Sequence, residues 1–119
     1  MNLKNRVILI GEVVNEPTFI EFMTGKKLTR FSIKTEDTFK RDNELIKEIM
    51  WHNVVAWENL SQIAKNKLFA GCEVVIDGHL VNRKYIDKKG ETKFITEVVA
   101  DTVLPKGTES NDFQNRKIA

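Results

Sequence analysis

Four aromatic residues stand in or beside basic, strand-like segments of the chain: Phe39, Trp51, Trp57 and Tyr85. A lysine and an arginine directly follow Phe39, and an arginine and a lysine directly precede Tyr85. Flat rings beside cations are what a protein needs to hold unpaired bases, because ring faces stack on bases while cations contact phosphates. These residues therefore predict a surface that binds single-stranded nucleic acid by stacking.

Basic side chains in the same segments are the candidate phosphate contacts. The candidates that neighbour a proposed stacking ring are Lys40, Arg41, Arg83 and Lys84. Further candidates are Arg6, Lys34, Lys47, Lys88, Lys89 and Lys93. A solvated surface position is the commoner role for any single lysine. Five acidic residues from position 36 to position 48 also dilute the positive charge around Phe39.

No group of residues in the sequence has the spacing of a catalytic or metal site. His52 and His79 are far apart, and neither has a neighbouring nucleophile or a metal-ligand spacing. The single cysteine, Cys72, lies beside an acidic residue, which disfavours a reactive thiolate. The sequence also lacks a glycine-rich phosphate motif. We therefore expect a binding protein without catalytic residues, metal or cofactor.

The composition is that of an ordinary soluble domain. The 119 residues bound the chain to one domain with a modest core, and 41% of them are hydrophobic and 30% charged. Because the net charge is only +2, a basic surface must come from how the charges are distributed. One cysteine fits a reducing compartment. No apolar run approaches the ~20 residues of a membrane span, and the first residues lack a signal-peptide segment. We expect a cytoplasmic, nucleoid-associated protein with no membrane partner.

Alternating and β-branched apolar residues predict strands over residues 7–14, 18–23, 28–35, 49–57, 73–85 and 92–104. Gly11 and Gly78 lie inside two of these strands and predict the bends that a small barrel needs to close. The polar segment from Glu36 to Glu48 has no clear period and predicts a long, mobile hairpin loop that carries Phe39. Residues 87–90 predict a tight hairpin turn that ends in glycine.

One amphipathic segment predicts a helix. Asn59 is the expected N-cap, with Gln62 as its capping-box partner, and Gly71 suits the C′ position after the last turn. The apolar stripe of this helix consists of Leu60, Ile63, Ala64 and Leu68.

A single helix among strands predicts an all-β fold with one helix. We expect a five-stranded Greek-key OB-fold barrel with extended hairpin loops, in which the helix plugs one end. Periodicity alone leaves another small barrel open. The folded domain is expected to cover residues 1–105, and the polar tail of residues 106–119 to be disordered.

Several motifs follow one another along the chain. They are the opening NRVILIGEVVNEPTF, Trp51-His52 followed by Val54-Val55, the run Gly71-x-x-Val74-x-Ile76-x-Gly78-x-Leu80, and Arg83-Lys84-Tyr85-x-Asp87. In this order and spacing they closely resemble the bacterial single-stranded DNA-binding proteins. The resemblance covers about residues 1–105.

This resemblance implies an OB-fold that binds single-stranded DNA in replication, repair or recombination. It places the four stacking positions of the family on Phe39, Trp51, Trp57 and Tyr85. The commonest members carry tryptophan at the first and last of these positions and phenylalanine at the third. The resemblance also places His52 near a subunit interface and implies a homotetramer around which the strand wraps.

The tail departs from the family, whose members usually end in an acidic segment that recruits replication and repair proteins. Here Lys106, Arg116 and Lys117 outnumber Glu109 and Asp112, so the tail gives no support to such recruitment. Two alternatives stay open. One is another nucleic-acid binder of the same fold, such as a primosomal accessory protein or an RNA-binding module. The other is a protein–protein adaptor.

Overall fold

The computed structural model describes residues 4–106. Within that range it contains six strands and one helix, in the order β1 Val7–Val13, β2 Thr18–Glu21, β3 Lys27–Arg41, β4 Glu44–Trp57, α1 Asn59–Lys67, β5 Glu73–Ile86 and β6 Thr92–Leu104. Among these described residues, no helix is long and apolar enough to cross a membrane.

Five of the strands close into a barrel. Their order is β1-β5-β6-β4-β3, and β3 returns to β1 through pairs at Glu12 and Val13. The pairing of β4 with β6 is parallel, whereas the other pairings are antiparallel. The short β2 adds to β3 outside this ring. The predicted five-stranded OB-fold barrel with one helix is therefore confirmed.

The core fills the barrel and continues under the helix. The cluster of buried side chains is Val13, Phe31, Ile33, Val54, Ala56, Ala64, Leu68, Cys72, Val74, Ile76, Val98, Ala100 and Val103. Members of α1 and the segment after it belong to this cluster, and the helix also contacts β2, β3, β4 and β6. The helix therefore closes one end of the barrel, as predicted.

Two glycines stand where strands pass too closely for a side chain. A Cβ at Gly78 would clash with the carbonyl oxygen of Val99. A Cβ at Gly11 would clash with the carbonyl oxygen of Lys34. The β5–β6 register also shifts between Asp77 and Gly78, which is how a β-bulge bends a strand. The predicted bend at Gly78 is thus confirmed, and Gly11 lets β1 approach β3 where the ring closes.

The segment from Glu36 to Glu48 is not a loop, so that prediction was wrong. The β3–β4 register runs without a break from Leu28↔Trp57 to Arg41↔Glu44. A two-residue turn joins the strands, and both turn residues, Asp42 and Asn43, have positive φ (51° and 68°), as a type I′ turn requires. We call the exposed pairs of residues 36–41 and 44–49 the β3–β4 arm. The arm was missed because neither of its faces is buried, so its residues show no hydrophobic alternation.

The helix and strand ends also differ from prediction. The N-cap is Glu58, with φ 55° and no side-chain capping bond, and not Asn59. The C-cap is Leu68, so Gly71 (φ 96°) lies three residues beyond it and is not the C′ residue. Strand β5 extends one residue beyond its predicted end, and β2 stops two residues before its predicted end. The predicted tail lies outside the described residues, except for Lys106, whose Nζ is 3.5 Å from Glu73 Oε1.

The strained turn of the β3–β4 arm leads to a stability prediction. Asn43→Gly is expected to stabilise the protein by about 0.5 kcal/mol, because glycine adopts positive φ without a Cβ penalty. Asn43→Ala is expected to destabilise it by about 1 kcal/mol for the same reason. Urea unfolding followed by circular dichroism at one protein concentration measures both changes. Equal stability of the glycine and alanine variants would show that the turn is not strained.

Candidate nucleic-acid interface

The cross-strand pairs sort the side chains of β3, β4, β5 and β6 into an inner and an outer face. Val54 and Val98 are neighbours on the inner, core-facing side, and Val55 and Val99 are neighbours on the other side. Following the alternation from these pairs gives the members of what we call the outer face: Leu28, Arg30, Ser32, Lys34, Trp51, Asn53, Val55, Trp57, His79, Val81, Arg83, Tyr85, Lys93, Ile95, Glu97 and Val99. Aromatic and basic side chains from four strands thus share one surface.

Three of the four predicted stacking residues lie on the outer face. Trp51 is 63% exposed, Trp57 38% and Tyr85 42%. The two tryptophans are six positions apart on the strand, which corresponds to about 20 Å along β4. Rings this exposed, at such a spacing, leave room for several nucleotides along the surface.

Phe39 lies apart from these three rings. It is 39% exposed and pairs with Ile46, whereas Trp51 pairs with Lys34, five positions earlier on β3. Because side chains alternate along a strand, an odd separation places Phe39 on the opposite side of the β3–β4 arm from Trp51. The structure therefore brings Trp51, Trp57 and Tyr85 to one face, and Phe39 to the other face of the arm.

A buried carboxylate lies among the arginines of the outer face. Glu97 is 5% exposed, and its carboxylate accepts hydrogen bonds from Arg30 Nη1 at 2.7 Å, Arg83 Nε at 3.0 Å and Arg83 Nη2 at 3.3 Å. The hydrogen bonds from Arg83 lower the pKa of Glu97, and the charge of Arg30 lowers it further. The same bonds raise the pKa of Arg83. Arg83 Cζ also stands 6.0 Å from the centre of the Tyr85 ring. Glu97 thus holds two guanidinium groups at fixed places, and that of Arg83 lies beside an exposed ring.

The lowered pKa of Glu97 makes part of the stability depend on pH. The contribution of this ionised carboxylate is fully present above the pKa of an unfolded glutamate and is lost as pH falls through the lower pKa of the folded chain. The gap in stability between the wild type and Glu97→Gln is therefore expected to narrow from neutral to acidic pH. Thermal midpoints of both proteins across this range measure the gap, and a gap of constant size would contradict the assignment.

The other predicted phosphate contacts divide into two groups. Four of them form ion pairs within the chain: Arg6 with Asp77 (2.8 Å), Lys34 with Glu12 (3.4 Å), Lys47 with Glu36 (2.7 Å) and Lys93 with Glu91 (3.2 Å). The remaining five make no ion pair with the described carboxylates: Lys40, Arg41, Lys84, Lys88 and Lys89. Residues 88 and 89 lie in the β5–β6 turn, which Asp87 stabilises by accepting from two backbone N–H groups, each at 2.9 Å.

Arg6 is bound to a carboxylate inside the chain through two hydrogen bonds. It donates two hydrogen bonds to Asp77, which lower the pKa of that carboxyl and raise that of the guanidinium. It lines a recess with Asn5, His79 and Asp101, and none of the three predicted stacking rings of the outer face lines this recess.

His52 stands on the inner side of β4, opposite Ile33. It is half-buried, and its Nε2 lies 2.9 Å from Thr35 Oγ1. Burial lowers the pKa of His52, so the neutral imidazole is favoured. Because these contacts all lie within one chain, they do not test whether His52 lies at a subunit interface, and that role stays a prediction.

Sequence reasoning missed Arg30, Glu97 and Phe22. The first two come from strands β3 and β6, and only the fold brings them together. Phe22 lies in the β2–β3 turn, is 41% exposed and stacks on Trp57. In the described part of the chain, no group of three or more histidine, cysteine or acidic residues could hold a metal ion.

A closed five-stranded barrel that presents rings and arginines on one outer face defines an OB-fold protein of the oligonucleotide-binding kind. The sequence profile of the single-strand binding protein family matches residues 4–105. The chain therefore belongs to the single-strand binding protein family.

Individual relatives agree with this assignment. The single-stranded DNA-binding protein 1 of Chlorobaculum tepidum is 33% identical over 109 residues, which cover 90% of this chain and 67% of the relative. A single-stranded DNA-binding protein of Bacteroides thetaiotaomicron is 31% identical over 112 residues, covering 89% and 70%. The solved structure of a Plasmodium falciparum SSB complex with ssDNA matches with a TM-score of 0.75 at 32% identity, covering 85% of this chain and 91% of that one.

Proposed function

We propose that this chain binds single-stranded DNA without sequence preference and protects it during replication, repair or recombination. The observation that carries the proposal is the outer face, where Trp51, Trp57 and Tyr85 are exposed on the same side of one sheet as Arg30 and Arg83. The names of the relatives and of the solved complex support DNA as the ligand. The binding domain is assigned to residues 1–105.

The proposed mechanism is physical binding without catalysis. Bases stack on Trp51, Trp57 and Tyr85, and on Phe39 when the strand crosses the β3–β4 arm, with about 1–3 kcal/mol for each stacked base. Because every base has a π-face, stacking tolerates any sequence. Paired bases hide these faces inside a duplex, so the same surface selects unpaired strands.

Basic side chains are proposed to contact the phosphates. Five of these cations have no ion-pair partner among the described residues: Lys40, Arg41, Lys84, Lys88 and Lys89. Arg41 and Lys84 lie on the sides of their strands opposite Trp51 and Tyr85, so they are proposed to contact a DNA strand that crosses the hairpins. Arg83 binds through the N–H groups that Glu97 leaves free, while Arg6 and Lys34 must exchange a carboxylate for a phosphate. Each contact releases counterions, so affinity falls as salt rises.

We further propose that the chain acts as a homo-oligomer, with a homotetramer as the expected form. Exposed isoleucines on β1 support a subunit contact, since Ile8 and Ile10 are each 56% exposed. His52 is assigned to an interface on the resemblance of the Trp51-His52 motif. Several copies would multiply the binding sites along one strand and raise avidity. We also propose that the protein is located in the cytoplasm, on the nucleoid, where single-stranded DNA occurs.

The proposal is tested by titrating the protein with oligo(dT) at low and high salt while following tryptophan fluorescence. Both tryptophans of the chain lie on the outer face, so strong quenching that weakens with salt is expected. Unchanged fluorescence with no bound oligonucleotide would favour the adaptor alternative. Competition with RNA of equal length distinguishes DNA binding from the RNA-binding alternative. That alternative predicts that the RNA displaces the DNA from the protein.

A further inference from the structure

A pair of stacked rings stands at one end of the outer face, where the β2–β3 turn meets the end of β4. The ring centroids of Phe22 and Trp57 lie 6.1 Å apart, with 20° between the ring planes, which is an offset stack. Each ring still exposes more than a third of its surface, 41% for Phe22 and 38% for Trp57. The pair therefore presents aromatic surface to solvent.

A need for apolar cover at the neighbouring Leu28 would not explain two open rings. Leu28 pairs with Trp57 on the outer side of the sheet, is 1% exposed, and does not belong to the core cluster. It therefore needs apolar cover from the outer side. Aliphatic side chains supply such cover, whereas a ring that keeps an open face offers a surface for a further flat group.

The space beside the ring pair is open and has its own cation. A recess next to Trp57 is lined by Thr24, Gly25, Lys26 and Glu58. Gly25 has φ 92° and no heavy atom within 4 Å of the place of a Cβ, so the backbone of the turn is accessible. Hydrogen bonds between Phe22 and the turn, from Phe22 N to Lys26 O (2.8 Å) and from Gly25 N to Phe22 O (2.9 Å), hold its shape.

The chemistry of the recess matches a nucleotide better than a simple anion. Lys26 and Glu58 both line it, and neither forms an ion pair with another described residue. One cation and one carboxylate nearly cancel, so charge alone would not draw a ligand there. A flat base on the rings, with its phosphate at the ammonium group, uses both the apolar and the cationic part.

We propose that Phe22, Trp57 and Lys26 form a further subsite for one unpaired nucleotide, with its base on the ring pair and its phosphate at Lys26 Nζ. This subsite rests on the proposed function and extends the path of the strand past Trp57 to the β2–β3 turn.

The first test separates the aromatic face from the apolar cover. Phe22→Leu keeps an apolar side chain beside Trp57 but removes the ring, whereas Phe22→Trp keeps a ring. Fluorescence anisotropy with labelled oligo(dT) at one low salt concentration measures their affinities. We expect Phe22→Leu to bind about fivefold to tenfold more weakly, as the loss of one stacked base implies, and Phe22→Trp to bind like the wild type. Met23→Leu is the matched control, because Met23 lies on the same turn with its side chain in solvent.

The second test measures the phosphate contact. Lys26→Gln is expected to reduce the slope of log affinity against log salt by about 0.7, the value for one phosphate of a single strand. Lys65→Gln is the control. Lys65 lies on α1, and its ammonium group is 4.1 Å from the centre of the Phe19 ring, so it is not part of the proposed subsite. An unchanged slope for Lys26→Gln would remove the phosphate contact from the subsite.

The outcomes distinguish this inference from the function on which it rests. If Phe22→Leu keeps wild-type affinity while Trp51→Ala binds more weakly, the subsite is wrong and the proposed function stands. A Phe22→Trp variant as weak as Phe22→Leu also overturns the subsite, because the ring would then not be what binds. If neither tryptophan is quenched by oligo(dT) in the wild type, the proposed function itself fails.

Discussion

Replacing both Trp51 and Trp57 with alanine is expected to weaken oligo(dT) binding by about 30-fold or more. Each stacked base contributes about 1–3 kcal/mol, and the two rings are about 20 Å apart along β4, so their effects should add. Fluorescence anisotropy with a labelled oligonucleotide measures the change. The salt dependence should stay nearly the same, because no charge is removed.

Phe69→Ala is the matched control for this double variant. Phe69 is 44% exposed and follows α1, away from the outer face, so its loss should leave affinity unchanged. Because Trp57 is the cross-strand partner of the buried Leu28, the thermal midpoint of the double variant must be measured. Trp51→Ala alone gives the effect of a ring whose cross-strand partner is the partly exposed side chain of Lys34. Wild-type affinity in a folded double variant would show that the outer-face rings do not bind the strand.

Glu97→Gln is expected to weaken binding by about tenfold, although it removes a negative charge from the binding surface. Simple electrostatics predicts the opposite, because one fewer negative charge should favour a polyanion. In the structure, however, Glu97 accepts hydrogen bonds from both Arg30 and Arg83. Without the carboxylate, two guanidinium groups lose their shared anchor, and ordering them on the phosphates costs conformational entropy. The stability should also fall by about 1–3 kcal/mol.

Glu48→Gln provides the control for charge alone. Glu48 is exposed on the β3–β4 arm, and no ion pair connects it to another described residue. Removing its charge should leave affinity the same or slightly higher. Binding by Glu97→Gln that is tighter than wild type would mean that the carboxylate only repels the strand, and that it does not position the arginines.

Residue type and local spacing were enough to find the barrel and the exposed rings. The strands follow from alternation, the helix from its apolar stripe, and the bend at Gly78 from a glycine inside a strand. The β3–β4 arm could not be found in this way, because its two exposed faces lack the hydrophobic alternation that marks a half-buried strand. Its turn also lacks the glycine that usually signals a type I′ hairpin.

The cluster around Glu97 shows a second limit of sequence reasoning. Arg30 and Glu97 are separated by 67 positions, and Arg83 and Glu97 by 14, so no local motif contains all three. Arg83 was found because it neighbours Tyr85, but its partner was not. Similarly, nothing near Phe22 in the sequence indicates Trp57, since the two meet only when β2 folds onto the edge of β3.

The unbroken pairing of the β3–β4 arm constrains how this part of the gene can change in length. Inserting or deleting one complete cross-strand pair between Lys34 and Phe39 would turn the Phe39 ring to the other side and leave Trp51 where it is. Two such pairs would restore the original side. In homologues whose arms differ in length, an odd difference in the number of pairs moves the ring near the tip to the other side of the arm, and an even difference keeps its side. The number of pairs therefore decides whether that ring shares a surface with the tryptophan at the position of Trp51.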